Sequence, residues 1–198
     1  MNVILDLIGA GMVASLLLLM MLSFQFQLTD TAQRAIYTSQ MLTHQQMACN
    51  DLNRIIALAG IGMPEDSVVV FQALEGKLSF RTCWDFKNDS LTVTPKTIQL
   101  SLNPTATGVG KQLHIVQSGT PVFDMGYIFW LEDLKFNYYR SSNVAVAYTN
   151  TVATDIIRYV DVLMVFRRAP YTVNPVDLRT KVVLRCYLMN CYLRDGVM

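Results

Sequence analysis

The sequence predicts an α+β fold in which one long N-terminal helix packs on an antiparallel β-sheet. Three observations predict it. Residues 7–24 (LIGAGMVASLLLLMMLSF) carry no charge, and none follows until Asp30. Helical periodicity then continues to Ala59, where Gly60, Gly62 and Pro64 stop it in the glycine-then-proline manner of helix C-termini. Beyond residue 66 the period falls from 3.6 to 2, with β-branched and aromatic runs between turn residues. The expected division is therefore a helix over residues 1–61, with an apolar half (1–27) and an amphipathic half (28–61), and a β-rich head over 62–198.

The apolar half has the length of a membrane span. At about 1.5 Å rise per residue, some twenty residues cross a hydrocarbon core of about 30 Å. One acid, Asp6, precedes the run. It suits a first helical turn at an interface, and it equally suits an acid in apolar surroundings that waits for a partner cation. No Lys or Arg precedes the run and the first basic residue is Arg34, so the pattern is not that of an ordinary cleaved secretory signal. The missing basic flank suggests a lost leader or a different gene start. In the amphipathic half, Leu28, Ala32, Ala35, Ser39, Leu42, Cys49, Leu52, Ile56 and Ala59 recur mainly at three- and four-residue steps, with Gln46 filling the gap. Of these, Leu42, Cys49, Leu52, Ile56 and Ala59 are the residues expected to pack the helix on the head.

In the head, residues 67–73 and 77–86 predict a hairpin about Leu74, Glu75 and Gly76. Two short strands are expected on either side of Pro95, at 91–94 and 97–102. Residues 103–111 (NPTATGVGK) read as a loop. It lacks the spacing of a phosphate-binding loop, because Lys111 is followed by Gln112. A strand at 113–117 precedes a turn at Ser118, Gly119, Thr120 and Pro121. Residues 127–140 (YIFWLEDLKFNYYR) are the most aromatic stretch, and the alternation of Leu134, Phe136 and Tyr138 makes their second part a strand. A short strand within 144–148, a strand over 156–168, a proline-containing loop over 169–178 and a last strand or strand pair over 181–193 complete the head.

Composition narrows function by exclusion. The net charge is +1, and no dense basic patch points to nucleic acid. The two histidines, His44 and His114, stand alone, and no HExxH, CxxC or Ser/His/Asp arrangement is present. The chain is expected not to be an enzyme and to use no cofactor or metal. The four cysteines, Cys49, Cys83, Cys186 and Cys191, are too scattered for a zinc ribbon. Buried free thiols and disulfides both remain open, and Cys186 and Cys191 would close a short loop if the chain turns between them.

Three stretches carry a family resemblance. Residues 2–7 (NVILDL) give an apolar start with one acid, residues 51–60 (DLNRIIALAG) resemble a conserved-pattern helix end, and residues 156–166 followed by RTKVVLR at 179–185 resemble a late strand and its ending. Together they resemble the type IV pilins and pseudopilins, most nearly the PilW/GspJ-like minor pilins. The resemblance implies a type IV pilin fold and a structural role. Subunits would be stored in the inner membrane by the apolar half-helix. They would then polymerise through it into an extracellular filament or periplasmic pseudopilus, with other pilins and an inner-membrane assembly platform as partners. It also implies that Asn2 takes the first mature position and that Asp6 neutralises the N-terminal ammonium of a neighbouring subunit. Gly9, Ala10, Gly11, Ala14 and Ser15 would let neighbouring helices approach closely. The rival is a single-pass, membrane-anchored extracytoplasmic binding domain, with the aromatic strand around residues 130–139 meeting its ligand.

Overall fold

The computed structural model describes residues 2–103, 111–123, 130–152, 156–168 and 178–195. The loop at 104–110, residues 127–129 of the aromatic stretch and the loop at 169–177 lie outside the described residues. The chain falls into two compact units, Met1–Gln40 and Met41–Met198. The boundary lies within the helix.

Helix α1 runs over Asn2–Ala57. Among the described residues nine strands follow: β1 Val70–Leu74, β2 Lys77–Asp85, β3 Ser90–Leu102, β4 Leu113–Gln117, β5 Thr120–Phe123, β6 Trp130–Tyr139, β7 Ala145–Val146, β8 Tyr159–Arg168 and β9 Leu178–Tyr187. A short helix α2, Met189–Asp195, closes the described chain. The strands form two antiparallel sheets, in the orders β1-β2-β3-β4-β5 and β7-β6-β8-β9. The expected turn at 118–121 is only partly a turn, because Thr120 already pairs with Gln117. Of the last strand or strand pair expected over 181–193, the first part is strand β9 and the rest is helix α2.

A single core joins both sheets to the end of α1. Leu52, Ile55, Ile56 and Ala59 meet Leu78 and Phe80 of β2, Ile98 and Leu100 of β3, Phe136 and Tyr138 of β6, and Val162 and Met164 of β8 in one buried cluster. Alternation puts these residues on inward faces, as a half-buried strand requires. Leu42 is a correction. It is 52% exposed, while Met41, one residue earlier, is buried. The inward stripe is Met41, Gln45, Ala48, Leu52, Ile55 and Ala59. A strict seven-residue step back from Cys49 drifts about 20° off that stripe, since 3.6 does not divide seven. Cys49 itself is half-buried at the stripe's margin.

The end of α1 is tied down by residues distant in sequence. Thr82 Oγ1 donates to the Leu58 carbonyl at 2.7 Å, and the Asn190 amide donates to the Ala59 carbonyl at 2.8 Å. These partners satisfy carbonyls that a helix terminus leaves open. The chain beyond then joins the edge of β2: the Gly60 N–H donates to the Arg81 carbonyl, and the Cys83 N–H to the Ile61 carbonyl, each at 2.8 Å.

The turn from β2 to β3 is pinned by a buried carboxylate. Gln117 Nε2 donates to Asp85 Oδ1 at 2.7 Å, and the Lys87 N–H and the Asn88 amide also donate to that carboxylate. The Gln117 hydrogen bond first, then those of Lys87 and Asn88 and the charge of Lys96, hold Asp85 below its ordinary value of 3.8 against the opposing effect of burial. A depressed folded-state pKa contributes stability above the unfolded value and loses it as pH falls through the folded one. Asp85→Asn is therefore expected to flatten the loss of stability between about pH 5 and pH 3. Urea melts at several pH values would show this, and an acid limb as steep as that of the wild type would refute it.

Candidate functional site

The candidate site is the apolar half of α1, taken within the unit Met1–Gln40. From Val3 to Phe26 its large apolar side chains are exposed, among them Ile4, Leu7, Val13, Leu16, Leu19 and Phe24. The helix is long and apolar enough to cross a membrane, and none of its most apolar eighteen-residue window is buried within the chain. In water such a surface would be far larger than the patches that soluble monomers expose. It calls for lipid or for other apolar helices.

Three hydroxyls of the helix bond back to its own carbonyls. Ser15 Oγ donates to the Met12 carbonyl at 2.8 Å, and Thr29 and Thr31 donate to the Gln25 and Gln27 carbonyls at the same distance. A hydroxyl that bonds its own helix carries little desolvation cost in an apolar surrounding. Asp30 and Arg34 form an i,i+4 ion pair at 2.9 Å just past the apolar half. Charge thus returns where the run ends, and there it is paired.

The residues expected to mediate assembly all lie on this half. Asn2 opens the helix. Asp6 is exposed and forms no ion pair with any described residue. A Cβ built on Gly9 or Gly11 would meet nothing within 4 Å. Within this chain neither glycine is needed for a close approach, and each costs helix stability relative to alanine. Ala14 and Ser15 are likewise exposed. Gly11, Ala14 and Ser15 share one helix face at three- and four-residue steps, Gly9 lies on the opposite face, and all four are exposed in the chain itself.

Leu134, Phe136 and Tyr138 bring the described part of the aromatic stretch into the head's core. Phe136 and Tyr138 are buried, and the Tyr138 hydroxyl donates to the Leu74 carbonyl at 2.8 Å. Burial pushes the Tyr138 phenol well above its ordinary value. On the outer face, Tyr139 stacks on Tyr159 with centroids 4.9 Å apart, and the Arg185 guanidinium lies 4.6 Å from the Tyr159 ring while bonding both oxygens of Asp161. These residues occupy one another. His44 and His114 are far apart in sequence and join no described cluster of metal-ligating groups. The four cysteines are free, with Cys186 in β9 and Cys191 in α2.

No family model matches this chain, and no curated protein does. Among solved structures it is similar to a type IV-like pilin from Thermus thermophilus. The two share 8% identity and a TM-score of 0.53 over 76% of this chain and 96% of that one. At such identity the likeness is one of fold. The fold is type IV pilin-like: a long N-terminal apolar helix whose C-terminal end packs on antiparallel sheets.

Proposed function

We propose that this chain is a non-catalytic structural subunit of a type IV pilus or related pseudopilus, stored in a membrane and polymerised through the apolar half of α1. One observation carries the reading: a membrane-length apolar half-helix whose most apolar window has no buried residue, continuing into a helix end that is part of the head's core. Lipid satisfies that helix before assembly, and a bundle of identical helices satisfies it afterwards. The exposed small residues support close helix contact in such a bundle, Gly11, Ala14 and Ser15 on one face and Gly9 on the opposite one. Asp6 is the acid placed to pair with a neighbour's N-terminal ammonium, a pair that sets register more than stability because desolvation offsets much of the attraction. Other pilins and an inner-membrane platform are the partners that such assembly requires.

Sheared surface material from cells expressing the chain is expected to contain filaments that include it. A fragment of residues 28–198 is expected to fold with the same head spectrum and stay soluble, yet form none. Asp6→Ala is expected to reduce filament yield at least tenfold without lowering the head's melting temperature. Recovery of the chain only from membranes, as a monomer, would overturn the filament reading in favour of an anchored domain. Wild-type filament yield from Asp6→Ala would remove the acid's role.

A further inference from the structure

A strand at the edge of a sheet offers a row of unpaired backbone N–H and C=O groups. Among the described residues, three of the head's four sheet edges are covered or short. Strand β1 is covered: Ala73 exchanges backbone hydrogen bonds of 3.0 and 2.7 Å with Thr149, and the Val152 N–H donates to the Phe71 carbonyl at 2.9 Å. Strand β7 has two residues, and β5 has four, one of them Pro121. Strand β9 differs. It has ten residues and no proline, and it pairs with β8 along its whole length without irregularity. Its other side meets no strand among the described residues. Helix α1 does not run beside that side, since it forms no extended close backbone contact with β9.

The ladder says which groups are open. The Leu188 N–H donates to the Arg158 carbonyl in the register of the β8–β9 pairing. Bonded residues alternate along an antiparallel strand, so Arg179, Lys181, Val183, Arg185 and Tyr187 turn their N–H and C=O groups to the open edge. On the inward face, Val182 and Leu184 are only partly buried, whereas Met164 and Val162 opposite them on β8 are fully buried. One more strand would complete that cover. The outward face sets what kind of strand fits. Strand β9 carries three cations and no acid. Arg179 is held by Glu132 and Arg185 by Asp161, while Lys181 is exposed and forms no ion pair with any described residue. The β9 strand of a second copy is disfavoured. Its central antiparallel registers set Lys181 or Arg179 against Arg185, and like charges directly opposite are destabilising.

We propose that the open edge of β9 is a docking site for an extended strand of another protein, apolar on one face and acidic on the other. Main-chain hydrogen bonds to the alternate residues give the affinity, and the side chains give the choice of partner. The apolar face joins Val182 and Leu184 over the core, and an acid on the other face lies beside Lys181. That the donor is another subunit of the same assembly rests on the filament role proposed above.

The test uses the full, detergent-solubilised chain and a pair of synthetic peptides matched to β9 in length, one alternating valine with glutamate and the other valine with lysine. In the free chain, amide exchange is expected to be fast at Lys181, Val183 and Arg185 and slow at Val182 and Leu184. The glutamate peptide, at about ten times its dissociation constant, should slow the fast set about tenfold, and the lysine peptide should not. Val183→Pro removes an edge N–H without touching the β8 ladder, so it should melt like the wild type and lose the effect. Lys181→Glu alters no backbone group and should transfer the effect to the lysine peptide; it decides the matter if the proline variant does not fold. Edge amides as protected in the free chain as those of the ladder, no slowing by either peptide, or equal slowing by both would overturn the proposal. Docking without filaments in cells would leave the edge standing and remove the filament role, and filaments without docking would do the reverse.

Discussion

Ile56→Asp is expected to leave the head unfolded at 25 °C, whereas Ile36→Asp leaves the head's stability unchanged. Both residues are apolar and both lie on α1, so composition and helix propensity do not separate them. Burial does: Ile56 is 0% exposed and Ile36 is 55% exposed. Ile56 sits in the cluster that joins both sheets. Losing its burial forfeits about 2–3 kcal/mol. An unpaired carboxylate there must then lose its hydration or take up a proton, at a further cost of several kcal/mol. A domain of this size has about 5–15 kcal/mol in total. Ile56→Ala, which removes bulk without adding charge, is expected to cost about 2–5 kcal/mol and to leave a folded head. Circular dichroism and urea melts of the detergent-solubilised chain would check the series. A cooperative, wild-type-like melt of Ile56→Asp would show that the end of α1 is not part of the head's core.

What the sequence disclosed follows from which interactions are local. The apolar run, the helix and its glycine stop were legible because each is written in adjacent residues. The inward faces of β2 and β6 were legible because alternation is local too. Pro95 suggested two short strands. The structure makes them one, but its pairing to β2 passes from Lys96 directly to Leu91, and Pro95 lies in that gap, where a missing N–H costs no ladder bond. The division into two sheets was not legible, since alternation says which face a residue takes and not which strand it joins. Nor was α2. Its seven residues are too few for periodicity, and its cap on α1 links residues more than a hundred positions apart. Among the assembly candidates, Gly9 and Gly11 stood out by composition. Their emptiness within the chain required coordinates.

Gly60→Ala is expected to destabilise the head by about 2–4 kcal/mol, through two separable causes. Gly60 has φ +75°, where a Cβ costs about 1–2 kcal/mol before any contact is considered. That Cβ would also stand 2.7 Å from Val69 Cγ2 and 3.2 Å from Cγ1. Val69 is fully buried and its β-branched side chain is stiff, so it yields little. The backbone cannot move away either, because the Gly60 N–H is held on the Arg81 carbonyl. Gly119 separates the causes. It has φ +85° and nothing within 4 Å of a built Cβ, so Gly119→Ala bears the conformational cost alone. The excess at Gly60 over Gly119 measures the contact with Val69. Val69→Ala removes the obstructing methyls at a cavity cost of its own, and the double variant Gly60→Ala/Val69→Ala should then be less destabilised than the sum of its singles. Strict additivity in urea melts would mean that Val69 is not the obstacle, and equal losses at Gly60 and Gly119 would mean that the turn after α1 has room to spare.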